Sequence, residues 1–141
     1  DYSTIVNGRN PIVAHEYLGN SVEGKDIFIA DDIISSGESV FDVASELKKR
    51  NARRIFAYAT YAIFTNGLEK FDKAVEDGYI HGVFGTNLTY RSPELLARPW
   101  FHEVDVSKYV AYFIASINHD VSISTVIDPH EKVQQLLKKY N

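Results

Sequence analysis

Hydrophobic and polar positions along the chain change period in a regular order, which predicts strands and helices in turn. The apolar run 27–30 stops at two adjacent aspartates, a pattern typical of a buried parallel strand that delivers polar groups to its carboxyl edge. After a Ser/Gly-rich loop, Val40, Val43, Ala44 and Leu47 recur at helical spacing. This segment therefore predicts a strand, a loop and a helix with one buried face.

The rest of the chain continues this alternation. Strands are predicted over 55–60, 80–86 and 101–106, and a weaker one over 12–14 within a partly ordered segment 1–20. Helices are predicted to start near Asn66, at Ser92-Pro93, after Ser107 and at Asp128-Pro129. Alternating strands and helices predict an α/β fold, with a mainly parallel sheet flanked by helices and right-handed crossovers.

Local signals at the ends of the helices add detail. Ser39 followed by Asp42 matches a capping box, and three basic residues before Asn51 suit the end of the same helix. The helix after Ser107 is expected to bury a face of apolar residues, namely Val110, Phe113, Ile114 and Ile117.

Length and composition limit the function classes. A chain of 141 residues with 45% hydrophobic residues can form one core, so residues 1–141 are expected to be one domain. A net charge of −4 argues against nucleic-acid binding, which needs a basic face. No apolar stretch approaches ~18 residues, so no membrane span is expected, and five histidines without helical pairing predict no direct metal site.

The loop after the first strand has the chemistry of a phosphate site. Three hydroxyls, from Ser35, Ser36 and Ser39, accompany Gly37, and the helix that follows presents open N–H groups, including that of Glu38. Asp31 and Asp32 only accept hydrogen bonds, so they suit sugar hydroxyls or the water shell of Mg²⁺. A vicinal diol carrying a phosphate, as in ribose 5-phosphate, fits both halves.

This arrangement resembles the phosphoribosyl pyrophosphate motif of type I phosphoribosyltransferases and ribose-phosphate diphosphokinases. The stretches 59–67, 83–87 and 103–107 look like successive landmarks of the C-terminal half of a diphosphokinase. The likeness runs from about Gly24 to Ser124, so it favours the diphosphokinases over the transferases. It implies a type I phosphoribosyltransferase-like fold and a chain that is part of a longer enzyme.

The resemblance also implies an activity. Diphosphokinases transfer pyrophosphate from ATP to ribose 5-phosphate with Mg²⁺, giving phosphoribosyl pyrophosphate and AMP, and phosphate is an expected activator. Asp31 and Asp32 would hold the ribose hydroxyls, and the 5-phosphate would bind the loop residues Ser35, Ser36, Gly37, Glu38 and Ser39. The basic catalytic loop would lie upstream, so no catalytic residue is assigned and the fragment alone is expected to be inactive. A cytoplasmic homo-oligomer is expected.

Three further residues are candidates for contact with a ligand. Thr60 and Thr86 end predicted strands at the presumed ligand edge, where each would line the pocket or simply cap its strand. Arg9 would contact a phosphate or lie on the surface.

Two departures from the diphosphokinase pattern leave alternatives open. Ser35 stands where the family usually has Asp, and Glu38 where Gly is usual. The chain is therefore expected to be part of a divergent active enzyme, or of a non-catalytic regulatory homologue, or of a phosphoribosyltransferase that consumes phosphoribosyl pyrophosphate.

Overall fold

The computed structural model describes residues 19–124 and 128–140. The contacts between residues divide the chain into two units, and the boundary in the sequence falls between Val104 and Asp105. The strands are β1 (Asp26–Ile34), β2 (Arg54–Ala62), β3 (Gly82–Thr86) and β4 (Phe101–Val104). The helices are α1 (Glu38–Lys49), α2 (Glu69–Glu76), α3 (Pro93–Leu96), α4 (Ser107–Asn118) and α5 (His130–Tyr140). The predicted alternation of strands and helices is confirmed, while the strand predicted over 12–14 lies outside the described residues.

The first unit contains a parallel sheet in the order β1-β2-β3-β4. Each strand therefore pairs with the next strand along the chain. Crossovers between parallel strands are right-handed, so connections of this kind carry their helices to the same face of the sheet. The carboxyl ends of all four strands meet at one edge.

The core lies on this helix-covered face. Ile55, Ala57 and Ala59 alternate along β2 as buried residues, and Val40, Ala44 and Leu47 of α1 belong to the same core cluster. The predicted buried face of α1 is confirmed, with Val43 partly buried beside it. Around α2 the core becomes aromatic, with ring contacts that link Phe41, Phe64, Phe71, Trp100 and Phe101.

The opposite face of the sheet is open among the described residues. Phe28 is 57% exposed, and its ring lies 6.3 Å from Tyr58 and 5.8 Å from Phe84 between centroids. The prediction that the strand over 27–30 is buried was wrong. Ile27 and Ile29, on one face of this strand, are partly buried against the core, while the other face is exposed, and the strand lies at the edge of the described sheet.

The predicted helix starts differ from the structure at α1 and α2 and agree with it at α3. Gly37, not Ser39, caps α1 and no side chain caps it, so the predicted capping box is wrong. The second helix starts at Glu69 rather than near Asn66. By contrast, Ser92 accepts the N–H of Leu95 at 3.1 Å and Pro93 begins α3, as predicted.

The second unit consists of α4 and α5 in the described part of the chain. Ser107 does not cap α4; its own N–H donates to the Asp105 carboxylate at 2.9 Å. The expected buried face of α4 is also wrong, because Ile114 and Ile117 are 64% and 68% exposed. Asp128 accepts the N–H of His130 at 2.9 Å, which confirms the predicted start of the last helix.

Candidate functional site

The two aspartates lie inside the end of β1 rather than after it. The parallel ladder continues to Ile34, which pairs with Ala62, because β2 is longer than its sequence pattern predicted. Alternation of burial stops here, since Asp32 and Ile33 are both exposed before Ile34 is buried. Asp31 is half-buried, and its carboxylate accepts the N–H of Asp32 at 2.8 Å. Both acids thus stand at the carboxyl edge of the sheet.

Neither aspartate has a cation beside it within residues 19–124 and 128–140. Other carboxylates of the first unit are paired: Asp26 with Arg53 and Arg54, Glu46 with Arg50 and Lys49, Asp72 with Arg98, and Glu103 with Arg91. The two arginines hold the pKa of Asp26 well below its usual range. The described arginines of this unit therefore pair with other acids, and none of them pairs with Asp31 or Asp32, whose carboxylates suit hydroxyl groups or hydrated cations.

Gly37 holds the turn between β1 and α1 in a conformation that only glycine adopts easily. Its φ is 83°, and a Cβ atom there would lie 2.6 Å from the Phe71 ring and 2.9 Å from Phe41. The close approach that Gly37 permits is thus one between the loop and the aromatic core. On this side the loop packs directly against Phe71 and Phe41.

The loop leaves hydrogen-bond donors open. In the described chain, the N–H groups of Ser36, Gly37 and Ser39 donate to no other group, and the N–H of Glu38 only approaches the Ser36 hydroxyl at 3.4 Å. Glu38 itself is exposed at the first turn of α1, where a carboxylate is favourable to the helix dipole. Open donors at the start of a helix suit an anion such as a phosphate.

The sequence reasoning assigned no role to Thr65, which the structure places against the loop. Its N–H donates to the Ser35 carbonyl at 3.0 Å, and the hydroxyls of the two residues lie 2.8 Å apart. Thr65 belongs to a stretch that resembles a family landmark, and it follows the strand next to β1. Because adjacent parallel strands end at the same edge of a sheet, residues that follow β2 are expected near the loop after β1, and this expectation could have identified Thr65.

Thr60 and Thr86 are joined by a hydrogen bond near the carboxyl edge of the sheet. The Thr86 hydroxyl donates to the Thr60 carbonyl at 2.7 Å and accepts the N–H of Leu88 at 3.2 Å, in a side chain only 2% exposed. Thr86 is the last residue of β3, as predicted, whereas Thr60 does not end its strand, because β2 continues to Ala62. Contact of either threonine with a ligand stays a prediction, and Arg9 lies outside the described residues.

The described chain lacks two further features, a cluster of metal-ligating side chains and a membrane-spanning helix. Residues 19–124 and 128–140 contain no group of three or more His, Asp or Glu residues that could hold a metal ion. Over the same residues, no helix is both long and apolar enough to cross a membrane.

The sequence of this chain matches the model of a known protein family. The model for the phosphoribosyl synthetase-associated domain matches residues 7–128. The chain belongs to this family. The match includes all four strands, the two aspartates at the end of β1 and the loop that leads into α1.

Individual proteins similar to this phosphoribosyl synthetase-associated domain are named as ribose-phosphate pyrophosphokinases. Ribose-phosphate pyrophosphokinase of Vibrio cholerae is 33% identical over 111 residues, which is 79% of this chain and 34% of that protein. The pyrophosphokinase of Shewanella oneidensis is 29% identical over 125 residues, covering 86% of this chain and 39% of that protein. The chain thus spans somewhat more than a third of the length of the curated relatives it matches.

A solved structure supports the same α/β fold. Phosphoribosylpyrophosphate synthetase from Mycobacterium smegmatis superposes with a TM-score of 0.63 and 18% sequence identity, over 72% of this chain and 33% of that chain. At this identity the likeness concerns the fold alone.

Proposed function

We propose that this chain is the ribose 5-phosphate-binding portion of a ribose-phosphate pyrophosphokinase, corresponding to its C-terminal half and to a type I phosphoribosyltransferase-like fold. The observation that carries the proposal is that two aspartates, which have no cationic partner in the described chain, stand beside a loop of open N–H groups at one edge of the sheet. Family membership and relatives named for this activity support it.

Two sets of residues bind the two parts of the ligand. Asp31 and Asp32 accept hydrogen bonds from the ribose hydroxyls, and the hydroxyls and N–H groups of Ser35, Ser36, Gly37, Glu38 and Ser39 bind the 5-phosphate. Keeping carboxylates on the sugar and N–H groups on the phosphate avoids repulsion between like charges. The ligand is thereby held at both ends, which fixes the orientation of its anomeric hydroxyl.

Mg²⁺ fits this site only through its own water shell and the substrate. The described residues offer two adjacent carboxylates and no larger group of ligands, which suits an ion that keeps several waters. Bound there with ATP, Mg²⁺ would neutralise charge on the phosphates during transfer. We assign ATP recognition, the basic catalytic loop and assembly into an oligomer to the remaining length of such an enzyme, in the cytoplasm and with phosphate as activator.

A second candidate function is a non-catalytic module that binds an active pyrophosphokinase. Ser35 and Glu38 favour it, since they depart from the diphosphokinase pattern inside the loop. The exposed side chain of Glu38 argues that this departure does not block a phosphate. We rank the divergent enzyme first.

The test is AMP release from ATP and ribose 5-phosphate by the full-length protein, in Mg²⁺ and phosphate. We expect activity in the wild type and a loss of about 100-fold or more in Asp31→Ala. Asp42→Ala is the control, because Asp42 is, like Asp31, an acid without a cationic partner in the described chain, but it is exposed and lies on α1. Absence of AMP together with binding of ribose 5-phosphate would favour the regulatory module.

A further inference from the structure

Thr65 contacts the first residue of the proposed phosphate loop twice. Its N–H donates to the Ser35 carbonyl at 3.0 Å, and its hydroxyl lies 2.8 Å from the Ser35 hydroxyl. Both side chains are exposed, and neither hydroxyl has another partner in the described chain. The pair of hydroxyls therefore stands on the solvent side of the loop, where a ligand would arrive.

The position of Thr65 does not depend on its own hydroxyl. The preceding N–H groups, of Ile63 and Phe64, donate to the Ile34 carbonyl at 2.9 and 3.2 Å. Phe64 is 7% exposed and meets Phe71 edge-on, with ring centroids 4.9 Å apart. The core thus fixes the connection between β2 and α2, and the folded state has little need of the Ser35–Thr65 hydroxyl contact.

The number of hydroxyl protons indicates which of the two hydroxyls donates to the other when an anion binds. Each hydroxyl carries one proton, so only one member of the pair donates to the other. If Thr65 donates to Ser35, the Ser35 proton is free to point at an anion beside the open N–H groups of Ser36 and Gly37. A hydroxyl that accepts one hydrogen bond also donates a second one more strongly.

We infer that Thr65 is a positioning residue, which donates to the Ser35 hydroxyl and so orients the Ser35 proton toward a bound phosphate. The inference rests on the proposed function, because the anion it serves is the phosphate of ribose 5-phosphate. Thr65 lies in the connection between β2 and α2, so the site then includes a residue from outside the loop between β1 and α1. Thr65 itself does not touch the ligand.

The test is a double-mutant cycle on binding of ribose 5-phosphate to the full-length protein, measured by calorimetry. Thr65→Val and Ser35→Ala are each expected to weaken binding about threefold to tenfold, the range of one hydrogen bond. The double variant is expected to bind no more weakly than the poorer single variant, because both remove the same chain of hydrogen bonds. Thr65→Ser keeps the hydroxyl and should bind as the wild type does.

Further measurements separate positioning from folding. Thermal melting without ligand should change by only a few degrees in Thr65→Val, because the side chain is exposed. Thr65→Ala serves if the valine variant fails to fold. Ser45→Ala removes a hydroxyl elsewhere on α1 and should leave binding unchanged.

The outcomes distinguish this inference from the proposed function. Wild-type affinity in both Thr65→Val and Thr65→Ala, or fully additive losses with Ser35→Ala, would overturn the role of Thr65 while ribose 5-phosphate binding stands. A wild-type protein that binds neither ribose 5-phosphate nor inorganic phosphate would overturn both.

Discussion

Gly37 shows at the scale of one residue how the candidate site depends on the core beneath it. Gly37→Ala places a Cβ 2.6 Å from the Phe71 ring and strains a φ of 83°. We expect unfolding free energy to fall by about 2–4 kcal/mol, from left-handed strain plus overpacking. Chemical denaturation measures this loss. Gly78→Ala is the matched control, since Gly78 has a φ of 72° with nothing within 4 Å, and should cost only about 1–2 kcal/mol. Equal losses would refute the contact with Phe71.

His81 is the second residue that gives a testable prediction. Its Nδ1 accepts the N–H of Ile55 at 3.2 Å, and burial, aided by Lys48 and Arg54, lowers its pKa. A lowered folded-state pKa means that this contribution to stability is complete above about pH 6.5 and is lost as pH falls through the folded-state value. His81→Asn keeps an acceptor that does not titrate. Its stability, followed by denaturation from pH 7.5 to 5, should fall less steeply than that of the wild type. Identical slopes would contradict the assignment.

At the scale of elements, Asp72 ties α2 to the segment before β4. Its carboxylate accepts the indole N–H of Trp100 at 2.7 Å and the guanidinium of Arg98 at 3.0 Å, and both bonds lower its pKa. Asp72→Ala should cost about 1–3 kcal/mol in denaturant unfolding, since it leaves a buried indole N–H unpaired. Asp77→Ala, at an exposed acid that directly follows the same helix and has no ion pair in the described chain, should change stability by less than about 0.5 kcal/mol. Similar effects in the two variants would show that the link does not stabilise the fold.

The elements also show what the sequence pattern could and could not predict. Periodicity identified the strands, the buried face of α1 and the acidic-then-hydroxyl loop, because each of these signals is local. It failed at the cap of α1, where the demand for Gly37 comes from Phe71, more than thirty residues away. Thr65 was missed for the same reason, since its role depends on which strands are neighbours. The burial of β1 was overestimated because an apolar run does not reveal how many faces are covered.

For the whole molecule, the open face of the sheet predicts behaviour in solution. Parallel sheets usually have both faces covered, and an exposed aromatic patch promotes association. We expect sedimentation velocity to show concentration-dependent association of the 141-residue chain. Phe28→Lys should reduce it, because it replaces an exposed aromatic ring on the open face with a charged side chain. Leu96→Lys adds the same charge at an exposed apolar residue of α3 and should not. Equal effects would locate the association elsewhere.

Amide NMR can show directly whether the loop between β1 and α1 binds ribose 5-phosphate. Titration of the ¹⁵N-labelled chain with ribose 5-phosphate should shift the N–H signals of Ser36, Gly37 and Ser39, because their open donors meet the phosphate. Inorganic phosphate should shift the same signals at higher concentration, and Asp31→Ala should weaken only the response to the sugar phosphate. Shifts confined to residues outside 31–39, or no shifts at saturating ligand, would contradict the account.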